Sequence, residues 1–232
     1  MYFCTTNHKD IKKLYWKQKQ MIRIRRAEIS DAAYIAEGIF SAFLLEDSVT
    51  VSGNSVGTKS ESLREKWMEI LSDICAQRDT HYSYINTFIA ELDGEIAGMM
   101  IAVDGRNYRF QREKMYPQLK SLFDIAFGMG WEDMEDEAKL GEFYIDSLSV
   151  SQMYRNRGVG TALIEHAKLQ AKALGIERVT LAVEPMNSAK ILYQRMGFEF
   201  EREIVIFNEV YHLYMNGLES LTANEVNQTK FL

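Results

Sequence analysis

The sequence predicts an α/β domain: a mixed central β-sheet of about six to seven strands flanked by helices on both faces. Three observations lead there. Segments with the period-two alternation of strands are interleaved with segments of helical spacing. Asp93-Gly94 joins two of the strands as an antiparallel hairpin. Downstream, the order strand, helix, strand, helix, strands closes the sheet with both kinds of neighbour. At 232 residues, 47% of them hydrophobic, the chain can bury a sizeable core as one domain with embellishments.

Residues 1–20 read as an N-terminal extension, in which Lys9, Lys12, Lys13, Lys17 and Lys19 alternate with Leu14, Tyr15 and Trp16. That mixture is also what a basic amphipathic helix uses to touch a membrane or a partner. The domain proper is expected over 21–218, with a tail at 219–232. Ile22-Arg23-Ile24-Arg25 alternates as a strand, and Ser30-Asp31 offers a helix cap ahead of Ala32, Ile35, Ile39 and Phe40. From Glu46 to Ser62 a Ser, Gly, Thr and Asn-rich stretch predicts a loop, and Leu63 to Ala76 a helix with Trp67, Ile70, Leu71 and Ile74 on one side. Ser83 to Ala90 and Glu95 to Val103 are the hairpin strands. An insertion spans about 104–139, with helix-like spacing near Tyr116 to Phe127 and an acidic run over Glu132 to Glu137 that reads as a solvated face or as a cover for a binding site.

Composition excludes several classes. The net charge of −6 argues against nucleic acid as a partner, since a phosphate-binding surface needs a basic excess. No run approaches the roughly 18 to 20 apolar residues of a membrane span, and the N-terminus carries no apolar signal region, so a cytoplasmic location is expected. Cys4 and Cys75 lie far apart without metal-ligand spacing. His8, His81, His166 and His212 show no pairing either, so no metal is expected and the histidines read as structural.

The most informative segment runs from the strand Phe143 to Val150 into Arg155-Asn156-Arg157-Gly158-Val159-Gly160 and a helix from Thr161 onward. Glycines at a helix start let a ligand approach backbone N–H groups that have no helical partner, where the positive end of the helix dipole also points. Arginines add donors suited to phosphate oxygens, so the segment predicts a pyrophosphate site. A dinucleotide fingerprint fails because Leu163 stands where a third glycine is needed, and a P-loop fails because Gly160-Thr161 lacks the lysine. The helix then carries Leu163, Ala167 and Leu174 and stops at Gly175. Arg178 to Val183 is the next strand, Asn187 or Ser188 opens a helix ended by Gly197, and Phe198-Glu199-Phe200 with Tyr211-His212-Leu213-Tyr214 supply the closing strands.

Arg155-Asn156-Arg157-Gly158-Val159-Gly160 after Leu148-Ser149-Val150 resembles the acetyl-coenzyme A signature of the GNAT (Gcn5-related) N-acetyltransferase superfamily, Gln/Arg-x-x-Gly-x-Gly/Ala after a Leu-x-Val strand. The stretch Glu184 to Phe198, with Asn187, Ala189, Tyr193 and Gly197-Phe198, is similar to the family's next motif. The likeness is specific from about Phe143 to Phe200. It implies the GNAT fold, acetyl-CoA as co-substrate and an amine acceptor attacked directly in a ternary complex. It further implies a cofactor-binding set of Leu148, Ser149, Val150, Arg155, Asn156, Arg157, Gly158, Val159, Gly160, Thr161, Asn187 and Ala189.

Within that likeness, Tyr193 matches the tyrosine near the thioester sulfur and is the candidate acid, the Val150 amide is the candidate donor to the carbonyl oxygen, and Asn187 lies near the pantetheine arm. A base is useful because an alkylammonium with a pKa near 10.4 is almost wholly charged at neutral pH. Alternation places Glu142, Tyr144, Asp146 and Leu148 on one face of the central strand. Asp146 is preferred there, with Glu142 in reserve, acting through water; either carboxylate would otherwise bind a cationic substrate or cap a neighbour. A catalytically silent acyl-CoA-binding module of the same fold is the alternative, and C-terminal edge strands invite a homodimer.

Overall fold

Alternating side chains divide the sheet residues between two cores, and the helices cover one core each. In the computed structural model, which describes residues 21–42, 58–126, 135–206 and 208–219, the order is β1 (Ile22–Arg26), α1 (Ala32–Ala42), α2 (Thr58–Ala76), β2 (Thr87–Leu92), β3 (Glu95–Asp104) and α3 (Gly105–Ala126), then β4 (Glu142–Val150), α4 (Val159–Ala173), β5 (Arg178–Val183), α5 (Lys190–Arg195), β6 (Glu199–Ile206) and β7 (Glu209–Gly217). The sheet runs β1-β2-β3-β4-β5-β7-β6. Among the described residues only β4 and β5 pair in parallel. Seven strands in mixed order with helices on both faces is the predicted class. The basic stretch of residues 1–20, Cys4, the loop over 46–57, the start of the acidic run and the end of the tail lie outside the described residues. Among the described residues no helix is long and apolar enough to cross a membrane.

Ile89, Met99 and Ile101 face the core formed by α1, α2 and α3, while Phe88, Ala90, Met100 and Ala102 face α4. On α4 the buried stripe is Val159, Leu163, Ile164, Ala167 and Ala171. Leu174, expected on that stripe, is exposed because it is the C-cap, just past the last helical residue, where the chain turns away. The stop itself is as predicted: Gly175 has φ +70°, and the amides of Gly175 and Ile176 return to the carbonyls of Lys172 and Ala171. The hairpin turn is also as read, with positive φ at both Asp93 and Gly94.

Several boundaries differ for local reasons. Residues 58–62, read as loop, begin α2. Ser83 starts no strand; its hydroxyl accepts the Ile85 amide and caps a 3₁₀ turn at Tyr84–Asn86, so β2 begins at Thr87. The first part of the insertion, residues Gly105–Ala126, is a single long helix with Pro117 inside it, which starts well before the helix-like spacing read near Tyr116. It can start directly after β3 because Gly105 has no side chain, where a Cβ would lie 1.9 Å from the Lys139 carbonyl as the chain returns.

The cap of α1 also sits earlier than read. A 3₁₀ turn over Ile29–Asp31 leads into the helix, and Asp31 accepts the Glu28 amide at 2.7 Å. The same carboxylate holds Arg25 with contacts of 2.7 and 3.0 Å, and Arg25 reaches Glu91 at 2.7 Å. The hydrogen bonds from Arg25 hold Asp31 below the usual carboxylate range. Its contribution to stability is therefore present above the ordinary carboxylate pKa and lost as pH falls through the depressed value. Replacing Asp31 with Ala is expected to cost about 1 to 3 kcal/mol near neutrality. In urea unfolding, the gap to the parent protein should narrow progressively as pH is taken below about 4; a gap that stayed constant would assign the effect to packing.

Candidate active site

The central strand changes face halfway along. Ile101 pairs with Ser147 and Ala102 with Ile145, so Asp146 is an extra residue with no partner on β3. Phe143 and Ile145 face α4 before this bulge, and Leu148 and Val150 face it afterwards. Leu148 therefore lies opposite Tyr144, contrary to the unbroken alternation read from the sequence. The bulge leaves Asp146 free to turn toward the helices of the other layer.

Beyond the bulge, β4 leaves β5. Their parallel pairing covers Glu142 to Ile145 and stops. The Ser151 amide donates to Ala97 on β3, so the Val150 amide, one residue earlier, points away from β3 toward the open side. Gly98 pairs with Val150, and a Cβ there would lie 2.7 Å from the Ser149 carbonyl oxygen and 3.1 Å from Val159. The missing side chain lets the start of α4 close onto the end of β4.

The connecting loop is shaped for an anion. Asn156 and Gly158 have φ of +60° and +86°, and Gly158 is the N-cap of α4, leaving the first helical amides without intrahelical partners. Gly160 faces α5, where a Cβ would come 3.2 Å from Leu192. Arg155 donates to the Val150 carbonyl at 3.2 Å, tying the loop to the strand end. Arg157 stacks its guanidinium 5.8 Å from the Tyr154 ring.

These groups open onto a cleft of about 660 Å³. It is lined by Asp146, by Leu148, Ser149 and Val150, by Arg155, Asn156, Gly158, Val159, Gly160 and Thr161, and by Asn187, Ala189 and Tyr193. Asn187 accepts the Ala189 amide at 2.9 Å, which braces the turn ahead of α5, whose helical residues begin at Lys190. Tyr193 is partly buried, its ring edge-to-face with Phe198 at 6.2 Å. Its hydroxyl has no hydrogen-bond partner among the described residues, and burial pushes its pKa up to about 12.

Two expected residues are not brought there. Arg157 is outside the lining. Glu142 is buried away from the cleft, where its carboxylate accepts the Lys139 amide at 3.0 Å and meets Arg178 at 3.6 Å. Its role is to fasten the returning insertion to β4 and β5.

The structure adds groups that the sequence did not single out. Glu137, from the acidic run, lines the cleft and is buried, so it is not part of a solvated face. It accepts the hydroxyls of Tyr108 and Tyr144. Burial, then the nearby charge of Asp146, pushes the Glu137 carboxyl above its ordinary range. Tyr82, Tyr116 and Tyr211 complete an aromatic wall. Behind Asp146 stands His81, buried between Tyr82 and Tyr108, with Nε2 2.8 Å from Oδ1, while the Ser147 hydroxyl donates to Oδ2 at 2.6 Å. His81 Nδ1 has no partner among the described residues, which suits the tautomer that carries its proton on Nε2, an assignment made from the hydrogen bonds. Tyr144 shares a face with Asp146 and was the one signal available for this wall. Among the described residues no three His, Cys, Asp or Glu side chains converge as a metal site would require.

Comparison with known proteins places the family and the fold. The model of the acetyltransferase (GNAT) family matches residues 56–198. Human cysteine-rich protein 2-binding protein is 36% identical over 88 residues, 38% of this chain and 10% of that protein. The N-alpha-acetyltransferase of Sulfurisphaera tokodaii is 29% identical over 132 residues, 56% of this chain and 62% of that protein. The chain thus spans between a tenth and under two thirds of the length of these curated relatives. A solved N-acetyltransferase from Staphylococcus aureus Mu50 superposes with a TM-score of 0.62 at 20% identity, covering 83% of this chain and 99% of that one. The family match takes in more than half of the chain, including both glycine-bearing motifs and the splayed strand ahead of them, and the chain belongs to the acetyltransferase (GNAT) family.

Proposed function

We propose that the protein is an N-acetyltransferase that moves the acetyl group of acetyl-CoA to a primary amine held in the same cleft. One observation supports this above others: the α4 start, the outward Val150 amide and the unpartnered Tyr193 hydroxyl all open onto one cleft. The co-substrate supplies an activated thioester, and the remaining demands fall on the chain. The loop amides from Gly158 to Thr161 receive the diphosphate. The Val150 N–H stabilises charge growing on the carbonyl oxygen.

The acceptor enters as an ammonium ion and gives one proton to Asp146, which passes it to water; the neutral nitrogen then attacks the carbonyl carbon, a C–N bond forms, the C–S bond breaks, and the second nitrogen proton leaves to water. Tyr193 gives its proton to the departing sulfur and regains one from water. Asp146 has lone pairs left for this after binding His81 and Ser147.

The test has two parts. Acetyl-CoA is expected to bind in calorimetry, and an amine panel is expected to yield acceptor-dependent free thiol. Replacing Gly158 and Gly160 with Val should weaken acetyl-CoA at least tenfold, about 1.4 kcal/mol, because one position needs a left-handed backbone and the other faces Leu192. Unchanged affinity in that variant would remove the diphosphate site.

A further inference from the structure

We propose that the acceptor is a diamine or polyamine, whose reacting nitrogen meets Asp146 while a second ammonium group binds at Glu137. This rests on the acetyl-transfer reading and names the substrate class for the same cleft.

Charge in the cleft is segregated. Arg155 and the first amides of α4 stand beyond the C-terminal end of β4, while Asp146 lies four residues back along the strand, roughly 13 Å away at strand rise. At that inner end stand two carboxyl groups. Glu137 receives only the Tyr108 and Tyr144 hydroxyls, and no cation lies within ion-pair distance of it among the described residues. Arg112, whose charge is felt at Glu137, has its guanidinium bonded instead to Asp136 at 2.7 Å and to the Glu135 carbonyl at 3.0 Å. Asp146 is served by the hydroxyl of Ser147 and by His81 in the tautomer assigned above.

Burial disfavours the charged form of Glu137 more than the nearby charges of His81 and Arg112 favour it, neither of which bonds to it, and a ligand that brings a positive charge into contact relieves that cost. The walls around them suit an alkyl chain. Tyr82, Tyr116, Tyr144 and Tyr211 present aromatic surface to the same space, which accommodates methylene groups and attracts ammonium ions. A simple monoamine satisfies Asp146 and leaves Glu137 unmatched, whereas a diamine satisfies both. An acceptor bearing a carboxylate beside its amine meets repulsion there.

The experiment compares 1,4-diaminobutane and spermidine with butylamine and with a lysine-containing peptide, using acetyl-CoA and thiol release, on the parent protein and on Glu137→Gln. The free polyamines are expected to exceed butylamine by at least tenfold in kcat/KM, and Glu137→Gln to reduce that ratio at least tenfold, mainly through KM. Calorimetry of 1,4-diaminobutane on the CoA-saturated parent protein needs no variant, and binding is expected there with none for butylamine. Equal kcat/KM for butylamine and the diamine, preference for the peptide, or a ratio unmoved in a Glu137→Gln protein that still binds CoA, would each overturn the proposal. Diamine binding without thiol release from any amine would uphold the Glu137 site and sink the transferase reading instead.

Discussion

Tyr193→Phe is expected to lower turnover by about 10² to 10⁴-fold while acetyl-CoA affinity stays nearly unchanged. The substitution removes one oxygen atom that has no hydrogen-bond partner among the described residues, so the fold loses little. The ring that packs on Phe198 is retained. What disappears is the proton donor for the leaving sulfur. Burial raises this hydroxyl to about 12, so it stays protonated across the working range, and no alkaline loss of rate below about pH 10 should trace to it. Single-turnover thiol release and calorimetry on the same preparation separate the two effects. A variant with full turnover would show that water protonates the sulfur, and one with weakened acetyl-CoA binding would make Tyr193 a binding group.

The half of the cleft proposed for the cofactor draws on residues that the sequence could group because its physics is local. A left-handed glycine, a helix start and a splayed strand end are contiguous in sequence, and Gly158, Val159, Gly160 and Thr161 all line the cleft. The acceptor half is assembled from distant segments. Glu137 comes from the insertion, Tyr82 from the turn before β2, and Tyr211 from β7. No period or spacing links these residues.

The bulge at Asp146 is the clearest failure of pattern reading. Strict alternation grouped Glu142, Tyr144, Asp146 and Leu148, but the extra residue sends Leu148 to the α4 side. His81 was read as structural because no spacing in the sequence pairs it with another group. Its partner is 65 positions away, and only the fold brings the two together.

The same bulge makes Asp146→Asn the second large expectation, a loss of about 10² to 10⁴-fold in kcat/KM at neutral pH. Asparagine keeps the shape and can still accept from His81 through Oδ1, while its amide meets the Ser147 oxygen, which accepts as readily as it donates. The site therefore holds its form and loses the capacity to take a proton. A specific kinetic signature follows. Without a base the variant must wait for the acceptor's own ionisation, so its rate should rise about tenfold per pH unit up to the amine's pKa near 10.4. The parent protein, which removes the proton within the complex, should show a shallower rise over the same interval. Rates for the two proteins should thus converge as pH increases. Parallel profiles, offset by a constant factor from neutrality to pH 10, would mean that Asp146 orients the acceptor through charge alone and that water carries the proton away.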